Sequence, residues 1–236
     1  MPEDTLILSI DTATPERSVA VARGARVVAL HGGEEKKSGA SSVLADVDAA
    51  LKSAGVRVAD VELFAVASGP GSFTGLRAGL ATVKAFGDTL RRPVVGVPTL
   101  HAVAYAAGPC ENVIAFAPAG RGEVFAQTLS VSAEGEVTEL DKPAHVSPAT
   151  LVERAASAGV AVKWAGVGGA ELFESLRSAG DAGWTFAPPV GKLAAHVAAL
   201  AFRKYGAGEA RDASELRALY VRASDAELNE RCAAPK

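Results

Sequence analysis

The chain has 236 residues, of which 49% are hydrophobic and 22% charged, the balance of a soluble globule able to bury a sizeable core as one large or two small domains. Its net charge of −3, with basic residues only in isolated pairs such as Lys36-Lys37, Arg91-Arg92 and Arg203-Lys204, argues against a protein that grips nucleic acid by itself. No apolar run approaches the roughly 20 residues of a membrane span, and the acidic start Met1-Pro2-Glu3-Asp4 leads straight into a strand-like segment, so no secretory leader is expected.

Leu6–Ile10 is a continuous apolar, β-branched run that ends in the turn-prone Asp11-Thr12-Ala13-Thr14-Pro15. Ser18–Ala22 and Val27–Leu30 read as two further short strands separated by a turn at Gly24. The spacing of Leu44, Val47, Leu51 and Ala54 predicts a helix over 41–54, stopped by Gly55. Leu63–Ala67 is a fourth strand, Thr74–Leu90 a second helix, Val94–Val97 a fifth strand and Thr99–Ala107 a third helix. The order is β-β-β-α-β-α-β-α.

The second half repeats much of that order. Val113–Ala117, Val124–Val131 and Val137–Val146 read as strands, Pro148–Ser157 as a helix with proline in its first turn, Val160–Ala165 as a strand and Lys192–Tyr205 as a helix. No residue-by-residue repeat accompanies it. Three strands followed by alternating helix and strand, twice over, predict an α/β protein of two ribonuclease-H-like lobes with mixed sheets flanked by helices. That is the actin/Hsp70/sugar-kinase (ASKHA) arrangement. The boundary is placed at Gly108-Pro109, giving lobes over 1–107 and 108–236, with a small, polar tail beyond about 228 expected to fray.

Ser68-Gly69-Pro70-Gly71-Ser72-Phe73-Thr74-Gly75-Leu76-Arg77 joins a buried strand to a helix. Ser72 or Thr74 can cap that helix. The turn can be read as a purely structural strand-to-helix connection or as an anion cradle at a helix N-terminus. It is neither a Walker A loop nor GxGxxG. On the cradle reading, Asp11, Thr12, Thr14, Gly69, Gly71, Ser72 and, from the second lobe, Arg121 are the candidate phosphate contacts. In the helix, Gly75, Gly79, Thr82 and Phe86 share a face, and interior glycines cost about 1 kcal/mol each relative to alanine. Such a face predicts close approach by another helix, either 41–54 of the same chain or one from a second subunit. Leu76, Leu80, Val83 and Leu90 would pack on the sheet.

These residues resemble the TsaB (YeaZ) family. Leu8-Ser9-Ile10-Asp11-Thr12-Ala13-Thr14 with Ser18-Val19-Ala20-Val21 is similar to that family's opening, and Gly69–Gly79 to its signature. Val95–Leu100, Gly122-Glu123-Val124-Phe125 and Leu219-Tyr220-Val221-Arg222 match further motifs, so the resemblance runs nearly end to end. A looser form of the signature marks the larger paralogue TsaD, once labelled a glycopeptidase. The resemblance implies the actin/Hsp70-like fold and a role beside TsaD and the ATPase TsaE in placing threonylcarbamoyl on adenosine 37 of tRNA. It implies a non-catalytic scaffold that pairs with TsaD, or with itself, through the two N-lobe helices. Leu44, Val47, Leu51, Gly75, Gly79, Thr82 and Phe86 are the interface candidates, and tRNA would be met only through the complex.

The chain departs from that pattern at Lys36-Lys37-Ser38-Gly39-Ala40, where many relatives carry a histidine. At Ala117-Pro118-Ala119-Gly120-Arg121 the arginine of an Asp-Ala-Arg segment is kept and the acid lost. Only Asp11 remains of the acidic pair that nucleotide-hydrolysing members of the fold direct at phosphate and metal, so no intrinsic cofactor is expected. Weak ATP or ADP binding at a vestigial cleft or a complex interface is the residual expectation, and an ASKHA ATPase or small-molecule kinase the alternative function. Gly166-Val167-Gly168-Gly169 reads as a nucleoside-facing turn or a plain one. His31, His101, His145 and His196 show no HxxxH, HxxH or HExxH spacing, which argues against a metal site or metalloprotease. No GxSxG elbow supports a serine triad. Cys110 and Cys232, far apart without CxxC spacing, fit a reducing, cytoplasmic setting.

Overall fold

Leu6–Asp11 (β1) is buried at every residue, which is why its sequence is continuously apolar rather than alternating. Leu63–Gly69 (β4), equally buried, lies parallel beside it. In the computed structural model, which describes residues 4–32, 40–168, 170–178 and 183–221, these two strands are the centre of a five-stranded sheet. Ser18–Arg23 (β2) and Arg26–Gly32 (β3) extend it antiparallel on one side, and Val94–Pro98 (β5) parallel on the other, in the order β3-β2-β1-β4-β5. Ala40–Ala54 (α1) packs on β2 and β3, and Phe73–Leu90 (α2) on β4. Leu76, Leu80 and Val83 turn into the sheet as their spacing predicts. Thr99–Ala106 (α3) closes the first half.

The second sheet repeats this plan. Cys110–Gly120 (β6) is central, Glu123–Val131 (β7) antiparallel beside it, and Val162–Gly166 (β10) and Trp184–Phe186 (β11) parallel on the other flank. The single strand expected over 137–146 is two, Val137–Glu139 (β8) and Ala144–Val146 (β9), which pair with different stretches of β7. Pro143 lies between them and has no amide to donate to a ladder. Pro148–Ala158 (α4), Ala170–Ser178 (α5) and Ala194–Gly206 (α6) complete the half. α4 starts on Ser147, whose side chain accepts the Thr150 amide, with Pro148 in the first turn. The sequence order omitted α5 and β11. At nine and three residues, neither is long enough to express a period. The doubled βββαβαβα with strand order 3-2-1-4-5 is the ribonuclease-H-like pair of the actin/Hsp70/sugar-kinase fold.

The closing helices cross between the halves. α6 lies on β1, β2, β4 and β5 of the first sheet, while α3 packs mainly on β6 and β7 of the second, and the two helices touch. Buried serines fix α6 in place. Ser9 Oγ donates to Ala194 O at 2.7 Å, and Ala194 N donates to Ser18 Oγ at 3.1 Å. α6 has no side-chain N-cap of its own, so Ser18 supplies an acceptor that its first turn lacks. After α6 the chain returns along the edge of β5. Arg211 and Val94 exchange backbone hydrogen bonds of 2.9 and 3.0 Å, Leu216 lies over Gly96, and Leu219 N donates to Ser68 O at 2.7 Å. The second core, around Phe116, Trp164, Phe173 and Leu176, lies beneath α4 and α5. The expected tail beyond 228 lies outside the described residues.

Because α6 covers the first sheet, the segment 1–107 is not a self-sufficient unit. A fragment ending at residue 107 is expected to show no cooperative thermal transition by circular dichroism, whereas the full chain should unfold as one. A cooperative transition in the fragment would refute this.

Candidate functional site

The loop after β1 folds on its own acid. Asp11 is fully buried, and Oδ1 accepts from Ala13 N at 2.8 Å and Thr14 N at 3.3 Å, while Oδ2 accepts from the Thr14 hydroxyl. Burial pushes this carboxyl from the ordinary 3.8 up to about 6; the three hydrogen bonds oppose the rise without cancelling it. The loop so shaped directs its carbonyls at α2. Ala13 O accepts from Ser72 N at 2.8 Å, and Thr12 Oγ1 donates to Gly75 O at 2.7 Å.

The glycines of the turn are explained by these contacts. A Cβ at position 71 would collide with Ala13 O, one at 75 with Thr12 O, and one at 79 with Thr12 Oγ1. At Gly69 (φ +112°) it would lie 2.5 Å from Leu219 O. The Gly69–Pro70 peptide is cis. Ser72 is the N-cap of α2, accepting from Gly75 N at 3.3 Å. The turn thus gathers Asp11, Thr12, Thr14, Gly69, Gly71 and Ser72 as expected, but in backbone packing. Carbonyls fill the space next to the glycines, and the Ser72 amide already has an acceptor. These residues do not fit a phosphate, and Asp11 has both oxygens committed within its loop.

Across the lobes, Pro15 and Pro118 close on Gly168, whose Cβ would lie 3.4 and 3.5 Å from their Cγ atoms. Arg121 stands exposed on the β6–β7 turn at φ 53°. Gly169, the last residue of the second glycine-rich turn, and the 36–39 part of the variant segment lie outside the described residues. The histidines do not converge. His31 Nε2 is 3.4 Å from Asp46, which also receives Arg17 Nε at 3.0 Å. His101 Nε2 meets Glu139 at 2.9 Å, His145 Nε2 lies 2.8 Å from Glu123 but off the hydrogen-bond direction, and His196 faces the Tyr105 ring. Burial holds His101 and His196 below the usual imidazole range. Among the described residues no three His, Cys, Asp or Glu side chains form a metal-binding group.

The interface expectations need correction. Val47 and Leu51 are buried in the chain's own core, Gly79 is buried against Thr12 and Val66, and Gly75 is pressed on Thr12. What approaches the glycine face of α2 is the loop that leaves strand β1, not a helix. Thr82, half-buried, donates to Ala78 O, and Phe86 stacks on Phe64 at 5.4 Å. Of the seven, Leu44 alone is largely exposed, at 52%, while Gly75, Thr82 and Phe86 are partly buried. The face of α2 that does meet solvent carries Thr74, Arg77, Ala81 and Ala85, and α1, which touches α2, exposes Leu44 and Ala45. In the sequence it is the helix's small and polar side, opposite the two glycines.

Residues 37–210, well over half of the chain, match the family model of TsaD, tRNA N6-adenosine threonylcarbamoyltransferase. The TsaB proteins of Haemophilus influenzae and Escherichia coli are 35% and 34% identical over 135 and 122 residues, about half of this chain and 53% and 52% of theirs. The crystal structure of a Pseudomonas aeruginosa protein similar to the peptidase YEAZ aligns over 92% of this chain and all of its own, with TM-score 0.75 and 27% identity. The chain belongs to the TsaB (YeaZ) family. It spans about half the length of the curated TsaB relatives that it matches. The TsaB resemblance read from the Gly69–Gly79 run therefore holds, and in this member that run is a packing device.

The Asp11 geometry has a measurable consequence. The folded state binds this proton up to pH about 6 and the unfolded chain only to 3.8, so the carboxyl costs stability as pH rises through that window. Asp11→Asn keeps an acceptor for the Ala13 and Thr14 amides. It should gain on the native chain by on the order of 3 kcal/mol between pH 4 and pH 7. Urea unfolding of both at the two pH values checks this; a difference that does not move with pH would refute it.

Proposed function

We propose that this chain is a non-catalytic docking subunit of tRNA N6-threonylcarbamoyladenosine biosynthesis, binding a TsaD-type partner through the exposed face of α1 and α2. The observation that carries the reading is the asymmetry of α2. One side is locked by glycines onto β1, and the other offers Thr74, Arg77, Ala81 and Ala85 to solvent. A helix held this rigidly, with small side chains outward, suits close packing against another helix pair. The names of the TsaB relatives support the pathway. In this reading the chain self-associates through the same face when alone. A TsaE-type ATPase joins the assembly, tRNA is met only through the complex, and the setting is cytoplasmic. Among the described residues no helix is long and apolar enough to cross a membrane.

Co-purification with a TsaD-type protein tests the interface. Ala81→Arg should weaken the complex at least about tenfold while leaving the thermal midpoint unchanged, because the residue is exposed. Unchanged affinity would remove this face as the docking site, and threonylcarbamoyl transfer by the chain alone would overturn the non-catalytic role. Position 79 cannot serve for this test, because a side chain there strikes Thr12.

The reading assigns no nucleotide to the cleft. Calorimetry with magnesium and ATP is expected to give no binding heat, and tight binding lost on Asp11→Ala would favour an ATPase or kinase instead.

A further inference from the structure

The Leu219-Tyr220 motif lies outside α1 and α2, yet the fold delivers it to the end of their exposed face. The strap after α6 is tied to β5 through Arg211 and Val94 and then to the glycine turn through the Leu219 amide on Ser68 O, at 2.7 Å. Leu219 O sits against Gly69, where any side chain would displace it. The strap therefore reaches the N-terminus of α2, with Leu219 36% and Tyr220 48% exposed. The Tyr220 ring lies on that of Phe73, centroids 5.6 Å apart, and the Arg77 guanidinium is 3.8 Å over the same Phe73 ring.

Thr74, Arg77, Ala81 and Ala85 are the exposed stripe of α2, so this cluster continues the docking face by one turn at its N-terminal end. At this end the helix carries Arg77 and, two turns on, Lys84, while its acid, Asp88, is exposed at the far end, in a chain whose net charge is −3. Arg77 is exposed and pairs with no carboxylate among the described residues. An exposed tyrosine and an arginine already oriented on an aromatic ring are among the residue types that dominate protein contacts.

We propose that Phe73, Arg77, Leu219 and Tyr220 form a second anchor of the docking face, which takes an acidic, apolar-bearing segment of the partner protein. The proposal rests on the docking reading above. A nucleic-acid strand is a poorer match: it would need a row of cations along its phosphates, and here a single guanidinium stands over the Phe73 ring, with Lys84 two turns away along the helix.

Tyr220→Ala and Arg77→Glu in the full chain, titrated against the TsaD-type protein, test it. Each should weaken binding about tenfold or more, with Tyr220→Phe near native. Hydrogen exchange over Ser68–Ala81 should be unchanged in Arg77→Glu, which separates a lost contact from a released strap. Native affinity in both variants, with Ala81→Arg still disruptive, would overturn the anchor and leave the docking reading standing. No binding by the wild-type chain, or indifference to Ala81→Arg as well, would remove the docking reading and the anchor with it. Weakened tRNA binding by the isolated variants, with partner affinity intact, would make the patch an RNA contact and overturn the proposal too.

Discussion

The structure depends on the close approach of two backbone segments: the carbonyls of Thr12 and Ala13 against the glycines of the turn and first turns of α2. An alanine at Gly71 or Gly75 would place a carbon where a carbonyl oxygen now sits. Interior glycines weaken a helix by about 1 kcal/mol each relative to alanine, so α2 is a poorer helix than its length suggests. In exchange it sits closer to the end of β1 than a side-chain layer would permit, with its rotation about its own axis determined. Which residues α2 shows to solvent follows from that rotation.

The same contacts change the meaning of Asp11. In nucleotide-hydrolysing members of the fold an acid at this place faces metal and phosphate. Here both its oxygens are turned back on Ala13 and Thr14, shaping the loop whose carbonyls hold α2. The arrangement keeps a buried carboxyl with a raised pKa, and so costs stability at neutral pH. A cost of that kind persists where the surrounding structure requires the geometry, and the requirement visible here is the position of α2. The second lobe is joined to this arrangement through α6 on the first sheet, through the strap that bonds Leu219 to Ser68, and through Pro15 against Gly168 and Pro118.

Much of the fold was legible in the sequence, for identifiable reasons. β1 and β4 are buried on both faces and read as continuous apolar runs; α1 and α2 show helical spacing over at least four turns; Pro148 and Gly55 mark a start and a stop. What escaped was short or shared. α5 is nine residues long, with Phe173 and Leu176 buried among its described side chains, and β11 has three residues, so neither develops a period. The crossing of α3 and α6 between the sheets is a long-range pairing, which element order does not encode.

The site shows a different limit. Gly75, Gly79, Thr82 and Phe86 do share a face, and that face is closely packed, but a glycine stripe has the same one-dimensional form whether a loop or another helix fills it. Only the position of β1 decides between them. Once it does, the surface left to solvent is the other side of α2, with Ala81 and Ala85. There, small side chains would let a neighbouring helix approach without the entropic penalty that glycine brings. The two faces are complementary uses of small residues. Glycine serves where a backbone must touch a backbone, and alanine where two helices meet side chain to side chain. α2 carries both because it is fastened to its own sheet on one side and left open on the other.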